Sequence, residues 1–99
     1  MAKGYWIAHV TVTDPERYKE YVKLNGIAFA KFGAKFVVRG GGEGAVMCSG
    51  TLKARHVVIE FESLAVAKAC YESPEYQAAV KVRDTASVAD VVICEGYDG

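Results

Sequence analysis

The sequence predicts one α+β domain whose strands and helices follow in the order β-α-β-β-α-β. Three observations carry this. Residues 4–13, 35–39, 56–62 and 88–95 are rich in β-branched and aromatic side chains and tend to alternate. Two longer segments between them repeat apolar residues at three- and four-residue spacing. Each of those segments opens on a capping residue, and Ser73-Pro74 repeats that opening inside the second one.

Taken in order, GYWIAHVTVT (4–13) places Trp6, Ala8, Val10 and Val12 on one strand face and Tyr5, Ile7, His9 and Thr11 on the other. Asp14-Pro15-Glu16 then starts a helix. Asp14 can cap free amides, proline suits the first helical position, and Glu16 favours the positive end of the dipole. Tyr18, Val22, Asn25, Phe29 and Phe32 form its inner stripe, with Tyr21 and Ala28 beside them. Gly26 weakens its middle by about 1 kcal/mol relative to alanine, and Gly33 is placed to end it.

KFVVR (35–39) reads as the second strand. GGGEG (40–44) interrupts it, and AVMCS (45–49) is expected to resume extended structure as a hairpin or a bulged, bent strand. HVVIEFE (56–62) is the third strand, with Val57, Ile59 and Phe61 opposite His56, Val58 and Glu60. Ser63 caps a helix that runs through AVAKACYE. A proline inside a helix costs about 3 kcal/mol. Ser73-Pro74-Glu75 is therefore expected to break that helix and restart it over residues 74–85, following the curve of a twisted sheet. VADVVICE (88–95) closes the chain as the fourth strand.

This order is the split-βαβ, ferredoxin-like pattern, with helices on one face of an antiparallel sheet. The helix side is expected to carry Trp6, Val10, Phe36, Val38, Val57, Ile59, Phe61, Val91 and Ile93. The other face would carry Tyr5, Ile7, His9, Val37, Arg39, His56, Val58, Glu60, Asp90, Val92 and Cys94. That mixture is too apolar for water and too polar for a plain core. A second copy packed on it would form a homodimer and enclose a cavity with apolar walls and a few polar groups, suited to a small organic molecule of acidic or aromatic character. A filled, ligand-free barrel is the structural alternative.

Composition narrows the function classes. A chain of 99 residues should bury about 65% of its unfolded surface, and a 52% apolar fraction fills a core without disulfide or metal staples. Twelve basic and twelve acidic residues cancel, which is a poor match for nucleic acid or an anionic membrane. Cys48, Cys70 and Cys94 are odd in number and form no CxxC pair, so they read as small buried hydrophobes in a reducing compartment. The N-terminal stretch has no secretory core and no run approaches a membrane span, so a cytoplasmic location is expected. GGGEG is followed by neither Lys-Ser/Thr nor a helix start, so it is a turn and not a phosphate loop. No metal or cofactor is expected.

His9 and Glu60 are the candidate catalytic residues, because a histidine beside a carboxylate can move a proton. The alternative is a buried structural bond. Arg39 can clamp a carboxylate through its planar fork, or pair with Glu60 or Glu43. Tyr5 and Tyr18 can offer phenols to a ligand, as can Tyr21 and Tyr76, although tyrosines at helical spacing are commonly core with a wet tip. Arg83, beside Asp84, is a further ligand-binding candidate, or a tie to a strand end or across a dimer. His56 is expected to be exposed at its strand start.

Nearly the whole chain resembles a small bacterial domain-of-unknown-function family of the dimeric α/β-barrel superfamily. The resemblance rests on KGYWIAHVTVTDPERYKEY (3–21), GAKFVVRGG (33–41), RHVVIEFES (55–63) and YESPEY (71–76), with Arg83 downstream. It implies a ferredoxin-like subunit whose sheet packs on its twin, and no established activity. More distant members of the superfamily include cofactor-independent monooxygenases, and a proton-transfer or oxygenase chemistry is the enzymatic alternative. The chain departs from the family pattern at Ser49-Gly50, where an acid precedes glycine, at Glu62, where proline is usual, and at Cys70, where tryptophan is common.

Overall fold

The computed structural model describes residues 2–98. It contains strands β1 (Gly4–Val12), β2 (Lys35–Gly41), β3 (Arg55–Phe61) and β4 (Ser87–Glu95), and helices α1 (Pro15–Phe32), α2 (Leu64–Glu72) and α3 (Pro74–Ala86). The strands form one antiparallel sheet in the order β2-β3-β1-β4, the ferredoxin-like arrangement.

The helices begin where the capping residues place them. Asp14 accepts from the Arg17 amide at 3.2 Å, and α1 starts on its proline. Gly33 ends α1 at φ +68°, a left-handed conformation that side chains with a Cβ disfavour. At the break, one hydroxyl serves two helices. Ser73 Oγ donates to the Cys70 carbonyl at 2.7 Å and accepts from the Tyr76 amide at 3.2 Å. It thereby gives the Cys70 carbonyl near the end of α2 a second donor beside the Ser73 amide, and satisfies an orphan amide of α3. Gly4 lets β1 pass under the start of α2, because a Cβ there would lie 2.3 Å from the Ser63 carbonyl oxygen.

Trp6 is the centre of the core. Its ring meets Phe29, Phe61, Tyr71 and Tyr76 at centroid distances of 4.7–5.4 Å. Its indole N–H donates to the Ala67 carbonyl at 2.9 Å, so the one polar atom of the ring is satisfied while buried. Ala28, Ala67 and Ala79 are fully buried. Small side chains at those positions allow the helices to lie close on the aromatic layer.

Two expectations change in the middle of the chain. Residues 45–54 pair with no strand, and Gly42–Gly44 forms a single 3-10 turn. Cys48 is consequently exposed, unlike the buried Cys70. The bulge lies earlier than the glycines. Phe36 opposes Ile59 and Val38 opposes Val58, leaving Val37 as the extra residue. Because side chains alternate with a period of two, that insertion reverses every later residue of β2. Val38 joins the open face and Arg39, opposite Val57, turns to the helix side, the reverse of the expected assignment.

Ser73→Ala should destabilise the protein by about 1–2 kcal/mol through loss of the shared cap. Denaturant unfolding with an unchanged m-value is the check.

Candidate functional site

The helix side of the sheet holds a cavity of about 40 Å³ beneath α1 and α3. Tyr18, Tyr21 and Asn25 reach it from α1, one turn and then another apart. Tyr76 and Arg83 reach it from α3, two turns apart on one face. Trp6, Phe29, Phe36 and Val57 form apolar walls. Arg55, the first residue of β3, and Arg39, turned inward by the bulge, complete the polar set.

Hydrogen bonds link the phenols and Arg83. The Tyr21 and Tyr76 hydroxyls are 2.7 Å apart. Arg83, only 8% exposed, donates to Tyr76 Oη at 3.3 Å, to Tyr71 Oη at 3.3 Å and to Asp84 Oδ1 at 3.3 Å. Burial works against the Arg83 charge, but the hydroxyls of Tyr71 and Tyr76 outweigh it, and its pKa is raised above the ordinary value. Burial and then the Tyr21 phenol raise the Tyr76 pKa, against the pull of Arg83. Burial also raises that of Tyr18, with Tyr21 adding and Arg55 opposing. Near neutral pH the site therefore combines neutral phenols with a fixed positive charge.

Arg55 is held differently. Its guanidinium carbon lies 5.9 Å from the Tyr18 ring centroid, and its buried Nε has no hydrogen-bond partner. Arg39 stacks over Phe36 at 4.6 Å. No Asp, Glu, His, Lys or Cys lines the cavity.

The open face is organised by register. His56, His9 and Asp90 form one polar row across β3, β1 and β4. Val58, Ile7 and Val92 form the next row on this face, and Glu60, Tyr5 and Cys94 the one after. His9 Nδ1 lies 2.9 Å from His56 Nδ1, and Tyr5 Oη donates to Glu60 Oε1 at 3.1 Å. That bond, with burial second, raises the Tyr5 pKa. Lys53 pairs with Asp90 and holds its carboxyl below the usual range. Beneath the 42–54 loop, a more open groove of about 270 Å³ reaches His56. Among the described residues, no group of three or more His, Cys, Asp or Glu side chains is placed to hold a metal ion.

The structure therefore divides the sequence candidates. Tyr18, Arg39 and Arg83 meet at the helix-side cavity; His9, Glu60 and Tyr5 lie on the open face. His9 does not sit beside Glu60. Their rows are four residues apart along β3, about 13 Å at about 3.3 Å per residue. Arg39 pairs with neither Glu60 nor Glu43, because the bulge turns it away. His56 is half-buried by its contact with His9 instead of exposed. Arg55 was not among the candidates, although strand alternation puts it opposite His56 and therefore on the helix side.

Comparison with known proteins agrees with this architecture. Residues 3–97 match the profile of the family described as domain of unknown function DUF1330. The chain belongs to the DUF1330 family. No protein of curated function matches it. Among solved structures, a protein of unknown function from Rhodopseudomonas palustris is similar to this DUF1330 chain at 21% identity and TM-score 0.76, covering 99% of this chain and 85% of that one. SnoaB, a cofactor-independent oxygenase from Streptomyces nogalater, is similar at 11% identity and TM-score 0.66, covering 100% and 97%. A dimeric ferredoxin-like protein of unknown function from Thermobifida fusca is similar at 16% identity and TM-score 0.61, covering 95% and 89%. At these identities the likeness is one of fold. No described helix of this DUF1330 chain is long and apolar enough to cross a membrane.

Tyr76→Phe should leave the buried Arg83 short of an acceptor and cost about 1–3 kcal/mol. Tyr71→Phe, at a half-buried position, should cost less. Paired denaturation curves measure the difference.

Proposed function

We propose that this protein binds a small organic molecule in the helix-side cavity between the sheet, α1 and α3. The observation that carries the reading is a set of convergent polar groups, Tyr18, Asn25, Arg39 and Arg55, within aromatic walls. Binding is favoured over catalysis at this place. The cavity lining holds no histidine, carboxylate or thiol to act as a general base, and His9 and Glu60 are on the opposite sheet face. The oxygenase activity in the name of SnoaB motivates a turnover assay but assigns no residue.

Trp6 is the sole tryptophan and lines the cavity, so its emission reports occupancy. In a screen of small metabolites, a ligand should shift Trp6 emission and raise the thermal midpoint together. At a hundredfold excess over Kd the stabilisation is about 2.7 kcal/mol. Ala89→Phe, which fills the cavity from β4, should remove both responses. Responses that persist in the filled variant, or their absence across the screen in wild type, would count against the proposal.

The open face is assigned to a second copy of the chain. Val38 and Val92 are 45% and 51% exposed on it, and the neighbouring loop exposes Val46, Met47 and Leu52. An apolar band of this kind between polar rows suits face-to-face sheet packing, and the Thermobifida fusca relative is dimeric. Light scattering should give a dimer for wild type and a folded monomer for Val92→Glu. A wild-type monomer at high micromolar concentration would sink the assignment.

A further inference from the structure

Resting on the helix-side binding reading above, we infer that the ligand is a carboxylate, held by Arg55 with Arg39 at the rim. The buried Arg83 and the half-buried Arg55 differ in a way that needs a cause. Arg83 has acceptors for all its guanidinium nitrogens: Tyr71, Tyr76 and Asp84 take its hydrogen bonds from within the fold. Arg55 Nε is buried and has none. An unmet donor on a charged group is costly, and native structures keep few of them. An acceptor brought by a ligand meets that demand after a small shift of the Arg55 side chain.

Charge points the same way. Asp84 answers Arg83. Arg39 and Arg55 form no ion pair with any described residue. The cavity thus carries the half-buried Arg55 guanidinium without a counter-charge, with the exposed Arg39 at its rim, and an anion is the complement this pair lacks. The chemistry of the walls selects the kind of anion. A planar guanidinium fork matches a planar carboxylate with two parallel bonds. The Tyr18 phenol, kept neutral, remains a donor to one oxygen, and the aromatic walls receive an organic tail. Inorganic phosphate would leave those walls unused and bring more charge into a largely apolar space.

Size sets the scale of the head group. A water occupies roughly 10–15 Å³ of such space, so a cavity of about 40 Å³ has room for about three waters, or a carboxylate with a short tail. A longer tail leaves past Arg39, whose exposed side chain can move aside.

The test uses Trp6 emission and thermal shift on the intact protein at pH 7.5. The probes are acetate, propionate and benzoate, their neutral amides, and inorganic phosphate. At least one carboxylate should bind tenfold or more tightly than its own amide and than phosphate. Arg55→Met should erase that preference. Arg55→Lys keeps the charge and the stem but loses the fork, so it should weaken carboxylate binding while circular dichroism stays native. If Arg55→Met fails to fold, Arg55→Lys and Arg39→Met carry the comparison. Amides binding as well as acids would overturn the carboxylate assignment and leave the binding cavity standing. Phosphate binding as tightly as the acids would overturn it in favour of a general anion site. No response to any of these probes would overturn it too, and the metabolite screen with Ala89→Phe then decides separately whether the cavity binds anything.

Discussion

Both faces of this molecule follow from how β1 is held between β3 and β4. Pairing Tyr5 with Glu60 and His9 with His56 sends Trp6, Ala8 and Val10 toward the helices and fixes the polar and apolar rows on the reverse. A slip of β1 by one residue would put the Trp6 indole on the open face and the His9 imidazole into the core. The aromatic cluster around Trp6 makes that slip costly, because each ring pair adds about 0.5–1.5 kcal/mol beyond its buried area. Register is thus enforced by packing, and side-chain placement on both faces is a consequence. The bulge at Val37 is the local exception, and it gives the helix side one more guanidinium than simple alternation would.

The helical layer completes the cavity through its own break. With α2 ending at Glu72 and α3 starting at Pro74, the second helical segment changes direction where Ser73 joins the two pieces. Tyr76, two residues into α3, is then directed onto Trp6 and the Tyr21 hydroxyl, and Arg83 follows two turns later. Because Tyr76 and Arg83 are seven residues apart in α3, they share the face that this new start turns toward the sheet. The polar network of Tyr21, Tyr76, Tyr71 and Arg83 is satisfied from within and belongs to the architecture. The unpartnered Nε of Arg55 sits beside it and is not met by any group of the fold.

Much of the fold was legible in the chain. Asp14-Pro15, Ser63 and Ser73-Pro74 mark helix starts by local chemistry, and the tetrad of strands follows from alternation and β-branched runs. Less of the site was legible, for physical reasons. Val37 carries no glycine or other marker of a bulge, so the reversal of Arg39 could not be read from KFVVR. The expected nearness of His9 and Glu60 assumed the right strands but not their register, which depends on long-range pairing. The expectation of extended structure at 45–49 came from apolar composition, and apolar side chains in an unpaired loop have the same composition as a strand. Arg55 was readable by alternation, yet nothing in its neighbours signals an unpartnered donor, because that property belongs to the packed structure.

The contact between His9 and His56 constrains where two mobile hydrogens can reside. Only one of the facing Nδ1 atoms, 2.9 Å apart, can hold a hydrogen directed at the other. Whichever ring donates there, its neighbour must keep its own hydrogen on Nε2. The two tautomers are therefore correlated, and the pair has two interchangeable arrangements instead of four independent ones.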